Sequence, residues 1–239
     1  MFNIALQLYS LREQCDRDLD GVLERLALAG YDGVEPYTLY DLTARQMKDK
    51  LDGAGLACPS AHIGLERFRA DIDAVIADAA TLGASFVTIP WTDLKTEAEV
   101  FELAAFVREN AAKIRTSGLK WLYHNHAGEF RRFGGSRDFF DILLENTDKT
   151  QINLQVDTYW AEQAGTPIKD FIMRTRERIG CFHLKDSREI GAGSIDFPSV
   201  LDAAKELGHK WLIVEQEEFD IDPYESVRIS LENVKKLQG

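Results

Sequence analysis

An α/β fold, a single (β/α)8 barrel, is what the sequence predicts, and three observations carry the prediction. Eight short apolar or β-branched runs alternate with longer stretches of helical spacing. Six of the helical stretches run into a glycine that opens directly onto the next apolar run. The first run is followed by "SLREQCDRD" rather than by GxGxxG or another phosphate-binding loop, which disfavours a doubly wound open sheet.

In chain order the apolar runs are Phe2–Tyr9, Asp32–Tyr37, Leu56–Ile63, Ser85–Trp91, Lys120–His126, Gln151–Thr158, Cys181–Lys185 and Trp211–Gln216. Between the first two, "DLDGVLERLALAG" places Leu19, Val22, Leu23, Leu26 and Ala29 on one helical stripe. "TEAEVFELAAFVRENAAKIRTSG" and "DPYESVRISLENVKKLQ" carry similar stripes. Gly30, Gly55, Gly83, Gly118, Gly180 and Gly208 are the expected helix stops, because glycine adopts the left-handed conformation that ends a helix. Eight strand–helix units close a barrel. With 239 residues and no linker or low-complexity stretch, residues 1–239 read as one domain.

Composition narrows the function. The chain is 45% hydrophobic and 28% charged, and its 40 acidic against 28 basic residues leave a net charge of −12. A nucleic-acid binder needs a basic footprint, so no nucleic-acid partner is expected. Cys15, Cys58 and Cys181 are odd in number, widely spaced and form no CxxC pair, which argues against disulfides or a structural zinc site and for a reducing compartment. The N-terminal "MFNIALQLYSLREQ" lacks a basic n-region and a cleavage site, and no apolar run nears the roughly 20 residues that span a bilayer. The expectation is a cytoplasmic protein with no membrane partner; homo-oligomerisation is left open.

The polar residues that end the runs are Gln7 and Tyr9, Glu35, His62, Trp91, His124 with His126, Asp157, His183 with Lys185, and Glu215. In a barrel these positions form the C-terminal rim, where active sites are built. Residues two apart on a strand share a face. Asn153, Gln155 and Asp157 therefore alternate with the helix-facing Ile152, Leu154 and Val156, and His183 shares a face with Lys185. A lone strand-end histidine is ordinarily a structural hydrogen-bonding residue, and a lone carboxylate pairs with a lysine or caps a helix. Convergence changes that reading. Asp157, His183 and Glu215 end three consecutive strands, and neighbouring buried carboxylates call for a compensating cation. An oxygen-rich set with one imidazole suits Mn²⁺, Mg²⁺ or Co²⁺.

These residues resemble those of the xylose-isomerase-like sugar phosphate isomerase/epimerase superfamily, whose members are divalent-metal TIM barrels. The resemblance spans the chain through "SAHIG", "YHNHAGEF", "QVDTYWAEQAG", "FHLKDSREIGAGSIDF" and "WLIVEQE", the fourth being the most specific. It implies Asp157, His183 and Glu215 as metal ligands, with Mn²⁺ foremost and Mg²⁺, Co²⁺ or Zn²⁺ as alternatives. Where many members end the fifth strand in a ligating glutamate, this chain has His124. Glu129, close by along the loop, is the favoured fourth ligand, and His124 then contacts substrate. Three residues after Asp157, Trp160 replaces the sugar-binding histidine of many epimerases; tryptophan stacks on a ring face but performs no acid–base chemistry.

The expected activity is that of a divalent-metal-dependent isomerase or epimerase of a small keto-sugar or sugar-like substrate, through a metal-stabilised enediolate. Glu129 and Glu215 are the candidate bases, and His62, His126 and Lys185 bind hydroxyls or carry protons. Glu35, Trp91, His124 and Trp160 are the expected substrate contacts. The nearest alternative is a dehydratase or lyase acting on an inosose or 3-keto-glycoside through the same enolate, toward which the extra imidazole of "HNH" points. A non-catalytic carbohydrate-binding barrel is the alternative of another class. An apurinic endonuclease would need more ligands and a basic face.

Overall fold

The eight strands are β1 (Asn3–Gln7), β2 (Gly33–Glu35), β3 (Ser60–His62), β4 (Phe86–Ile89), β5 (Lys120–His124), β6 (Asn153–Asp157), β7 (Ile179–Leu184) and β8 (Trp211–Val214). All pair in parallel, in the order β2-β1-β8-β7-β6-β5-β4-β3. The structure is a computed structural model and describes residues 1–238. The outer helices are α1 (Arg12–Ala29), α2 (Ala44–Ala54), α3 (Leu65–Ala70), α4 (Ile72–Leu82), α5 (Glu97–Thr116), α6 (Phe139–Glu145), α7 (Thr158–Gln163), α8 (Ile168–Thr175), α9 (Phe197–Glu206) and α10 (Pro223–Leu237). Their apolar stripes, for example Val22, Leu23 and Leu26 on α1, pack onto the sheet as one continuous core. Among the described residues no helix is long and apolar enough to cross a membrane.

The barrel is nearly closed, and its seam lies between β2 and β3. Val34 N donates to Ala57 O at 2.9 Å, Ala57 N to Asp32 O at 3.0 Å, and His62 N to Pro36 O at 2.9 Å. In a regular strand Ala57 and Pro59 would direct their backbone groups to the same neighbour. Instead Ala57 faces β2, while Pro59 O accepts from Ser85 N and Phe86 N on the β4 side. The backbone therefore rotates within "ACP", which is why the run Leu56–Ile63 holds a strand of only three residues.

Five of the six expected helix stops are found: Gly30, Gly55, Gly83, Gly118 and Gly208 all have positive φ. Gly180 is a correction. It lies inside β7, where the pairing with β6 slips so that Leu154 faces Ile179 and Gln155 faces Cys181. Gly180 is the extra residue of this bulge, and a Cβ there would overlap Leu122 Cδ2. The helix α8 ends instead in a short turn, Arg176–Arg178.

Period-two alternation sets the barrel interior. Ala5, Leu122, Cys181 and Ile213 form a buried apolar cluster on four strands. Two residues further along each of those strands stand Gln7, His124, His183 and Glu215. Each polar residue thus enters the barrel directly above an apolar floor.

Candidate metal centre

Four residues from four consecutive strand ends converge at the C-terminal mouth. His124, Asp157, His183 and Glu215 each offer one ligand atom, and these atoms all lie within 4.8 Å of one another. Glu215 follows β8 directly and is tied to β7 by Glu215 N donating to Leu184 O at 3.0 Å. His183 Nδ1 lies 3.4 Å from Glu215 Oε2 and 4.0 Å from Asp157 Oδ2. Asp157 is held three ways. Its Oδ1 accepts from Trp160 N at 2.7 Å, capping α7. Asn125, buried between the two histidines of "HNH", brackets its backbone: Asp157 N donates to Asn125 Oδ1 at 2.9 Å, and Asn125 Nδ2 donates to Asp157 O at 3.2 Å.

The donor set fits a divalent cation. Asp157 Oδ2 and His183 Nδ1 are buried with no hydrogen-bond partner, an expensive state for polar atoms that a shared cation would relieve. The charges of the site are strongly interdependent. Burial and the nearby charge of Glu215 push Asp157 up, against the opposing pull of Lys185. For Glu215, burial also disfavours ionisation, but Lys185 and His183 outweigh it and hold the carboxyl well below its usual range. Burial disfavours the His183 cation, yet the charges of Glu35 and Glu215 raise its pKa to about 10. Two carboxylates and two imidazoles are a hard, mixed O/N set of the kind that binds Mn²⁺, Mg²⁺, Co²⁺ or Zn²⁺.

Glu129 stands apart from this group. The chain turns immediately after β5 into a short 3-10 turn, Ala127–Phe130. There the Glu129 carboxylate accepts from Tyr123 Oη at 2.9 Å and from His126 N at 2.9 Å. Its oxygens are spent closing the turn, and burial raises its pKa. His124, on the strand itself, puts its ring into the cluster instead.

Beneath the four lies a polar layer. Glu35 is fully enclosed, with 0% exposure. It accepts from Gln7 Nε2 at 2.7 Å, Gln155 Nε2 at 2.7 Å and His183 Nε2 at 2.6 Å, with His62 Nε2 at 3.1 Å. Despite burial, the neighbouring histidines hold its pKa at about 2. His62 stacks on His183, with ring centroids 5.3 Å apart, and bonds Gln155 Oε1 at 2.7 Å. Gln155 and Asn125 carry much of this architecture and were not among the expected site residues. Gln155 was visible in its phase with Asp157. Asn125 was not, because it is out of phase with the histidines beside it.

The wall of the mouth is cationic and aromatic. Lys185, 2% exposed, sits with Nζ 3.4 Å from Glu215 Oε2, paired also with Glu217. The same Nζ lies 4.7 Å from the centroid of the Trp160 ring and 5.8 Å from that of Tyr159. Burial disfavours its charge, but Glu215, Asp157 and Glu217 together raise its pKa. His126, half-buried, packs on Trp160 at 5.3 Å and on His124 at 4.9 Å, and its Nδ1 has no partner. Burial lowers its pKa to about 4. Trp91 is 56% exposed and lines a small cavity of about 210 Å³ with Gly128, Glu129 and Arg131, outside the cluster.

Relatives carry the same fold. The chain is 24% identical to an inosose dehydratase of Geobacillus kaustophilus, over 91% of this chain and 87% of that protein. A sugar phosphate isomerase/epimerase from Parabacteroides distasonis superposes with a TM-score of 0.89 at 24% identity, over 97% of this chain and 93% of the other. An L-ribulose 3-epimerase superposes with a TM-score of 0.76 at 16% identity, over 99% and 94% of the two chains. At these identities the structural likeness speaks for the fold alone. The xylose isomerase-like TIM barrel family matches residues 23–237, nearly the whole chain, and the protein belongs to that family.

Proposed function

We propose that the protein is a divalent-metal-dependent isomerase or epimerase of a small keto-sugar or sugar-like substrate, with His124, Asp157, His183 and Glu215 holding the metal. The observation that carries this reading is the convergence of those four buried residues, two of which present orphaned ligand atoms. A divalent ion bound there would act as a Lewis acid on the substrate carbonyl and acidify the adjacent C–H.

The protein's own groups then divide the proton work. Glu215 is the carboxylate placed to take a proton from the substrate carbon, since it reaches both the cluster and Lys185. Lys185, kept charged by its carboxylate neighbours, donates a hydrogen bond or a proton to a substrate oxygen. His126, packed on Trp160 and with its buried Nδ1 unpartnered, is a second candidate proton carrier. Trp160 presents a flat wall on which the apolar face of a sugar ring stacks. His62, bonded to Gln155, lines the inner end of the cluster.

A dehydratase acting through the same enolate is favoured by one arrangement: Lys185 and His126 both flank Trp160, leaving an acid available for a departing hydroxyl. The relation to an inosose dehydratase supports it as well. One experiment decides. Purified protein, loaded with Mn²⁺, is incubated with keto-sugars and inososes in D₂O and followed by NMR and mass spectrometry. Deuterium at the α-carbon with no loss of water is the expected result. Loss of water identifies the dehydratase. No reaction together with no bound divalent metal by elemental analysis leaves a non-catalytic carbohydrate-binding barrel.

A further inference from the structure

We propose that Gln7, Glu35 and Gln155 form a positioning floor that presets the tautomers of both imidazoles in the cluster, turning Nδ1 of His183 and Nε2 of His124 toward the cation. This rests on the metal assignment above and adds to it three residues that do not touch the metal. Glu35 accordingly acts from beneath the histidines rather than as a substrate contact.

The argument follows from donor and acceptor counting. A carboxylate accepts only, and Glu35 Oε2 already receives Gln7 Nε2 at 2.7 Å. His183 Nε2, 2.6 Å from that same oxygen, must therefore carry a hydrogen. With that hydrogen held on Nε2, Nδ1 is the nitrogen left to give up its proton and ligate, and it stands orphaned between Asp157 and Glu215. Gln155 transmits the same logic to the neighbouring strand. Its Nε2 is committed to Glu35 Oε1 at 2.7 Å, so its Oε1 faces the histidines and accepts from both. His124 Nδ1, 3.0 Å from Oε1, must donate, which leaves Nε2 of His124 as the ligating nitrogen. His62 Nε2, 2.7 Å from the same oxygen, donates as well and is thereby removed from competition for the metal through that nitrogen.

One carboxylate thus orients two amides, and the amides and carboxylate together orient three rings. Because every member is 8% exposed or less, no water substitutes for a missing partner at low cost. Outer partners that orient a metal-ligating histidine are typically worth about 10- to 100-fold in metal affinity.

The test uses the intact protein with Glu35→Gln and, separately, Gln155→Met. Mn²⁺ affinity is measured by competition with a fluorescent chelator, and ring tautomers are read by ¹⁵N NMR of the Zn²⁺-loaded, histidine-labelled protein. We expect wild-type protein to show metal on Nδ1 and hydrogen on Nε2 of His183, with the reverse pattern at His124. Each variant should lose about 10- to 100-fold in Mn²⁺ affinity. A mere packing role would move the unfolding temperature of the metal-free protein without changing the tautomer pattern. Wild-type affinity in both variants, or Zn²⁺ on Nε2 of His183, overturns the inference while leaving the metal assignment intact. Wild-type protein that binds no divalent cation overturns both. Should Glu35→Gln fail to fold, Gln155→Met carries the same comparison alone.

Discussion

The two ends of the barrel differ in a way that size alone would misjudge. At the N-terminal end lies a depression of about 700 Å³, lined by Arg115, Lys120, Lys149, Glu177, His209 and Lys210 among others. It is roomy and carries more basic than acidic side chains. Two buried ring nitrogens there, Trp121 Nε1 and His209 Nδ1, lack partners, yet among the described residues neither side chain belongs to a converging set of metal ligands. The C-terminal mouth gathers two imidazoles and two carboxylates that could hold a metal, a buried lysine and a half-buried histidine around orphaned atoms. Chemistry needs converging polar groups withdrawn from water, because burial is what strengthens their fields. Exposed lysines around an open depression remain solvated and do little to each other.

The sharpest way to break this comparison is to chelate divalent cations or to remove one of the four converging side chains. Chelation, or Asp157→Ala, should lower kcat/KM by at least about 10³-fold, several kcal/mol of transition-state stabilisation. The paired substitution Lys120→Ala with Lys210→Ala at the other end should change it by less than about twofold. Equal losses at both ends would end the distinction. Next in size is Lys185→Met, expected to cost about 10²-fold in kcat with a smaller change in KM, if its ammonium serves the reaction rather than the fold. Steady-state kinetics separates the two parameters.

Stability changes come third. Gly180→Ala should destabilise the protein by about 1–3 kcal/mol in urea unfolding, since its methyl group has to displace Leu122 from the apolar floor. Gly53→Ala, where an added Cβ meets nothing within 4 Å, is the matched control and should be neutral or better. The smallest effect concerns Glu129. Burial raises its pKa in the folded protein, so folding binds its proton more tightly than the unfolded chain does. The Glu129 contribution therefore declines as pH rises from the unfolded carboxylate range through the folded value. Glu129→Gln should flatten that part of the decline in unfolding temperature as pH rises above the ordinary carboxylate range. An unchanged slope would mean the carboxylate titrates normally.

Much of the site was legible because strand parity is rigid. Asp157, His183 and Glu215 each lie two residues beyond an inward-facing residue of the same strand, so their convergence needed only the barrel and the period of two. Gly180 shows where a local rule misleads. Glycine before an apolar run is an ordinary helix stop, but here a bulge consumes it, and nothing local distinguishes the two. The choice between His124 and Glu129 was equally beyond local reasoning. The four residues between them allow either side chain to reach inward, and where each one goes depends on Tyr123 and on how the 3-10 turn closes.

The sequence by itself determined the alternation of strand and helix, the inward phase of the strands and the acidic, histidine-rich rim. Those properties follow from period, side-chain size and charge, which act within a few residues of each other. Only the tertiary structure decided which nitrogens face the cluster, that Glu35 lies beneath the histidines, and that Asn125 pins Asp157. Each depends on partners 28 to 148 residues apart in the chain. Hydrogen bonds are short and directional, so their pairing is settled only when the closed barrel brings those strands together.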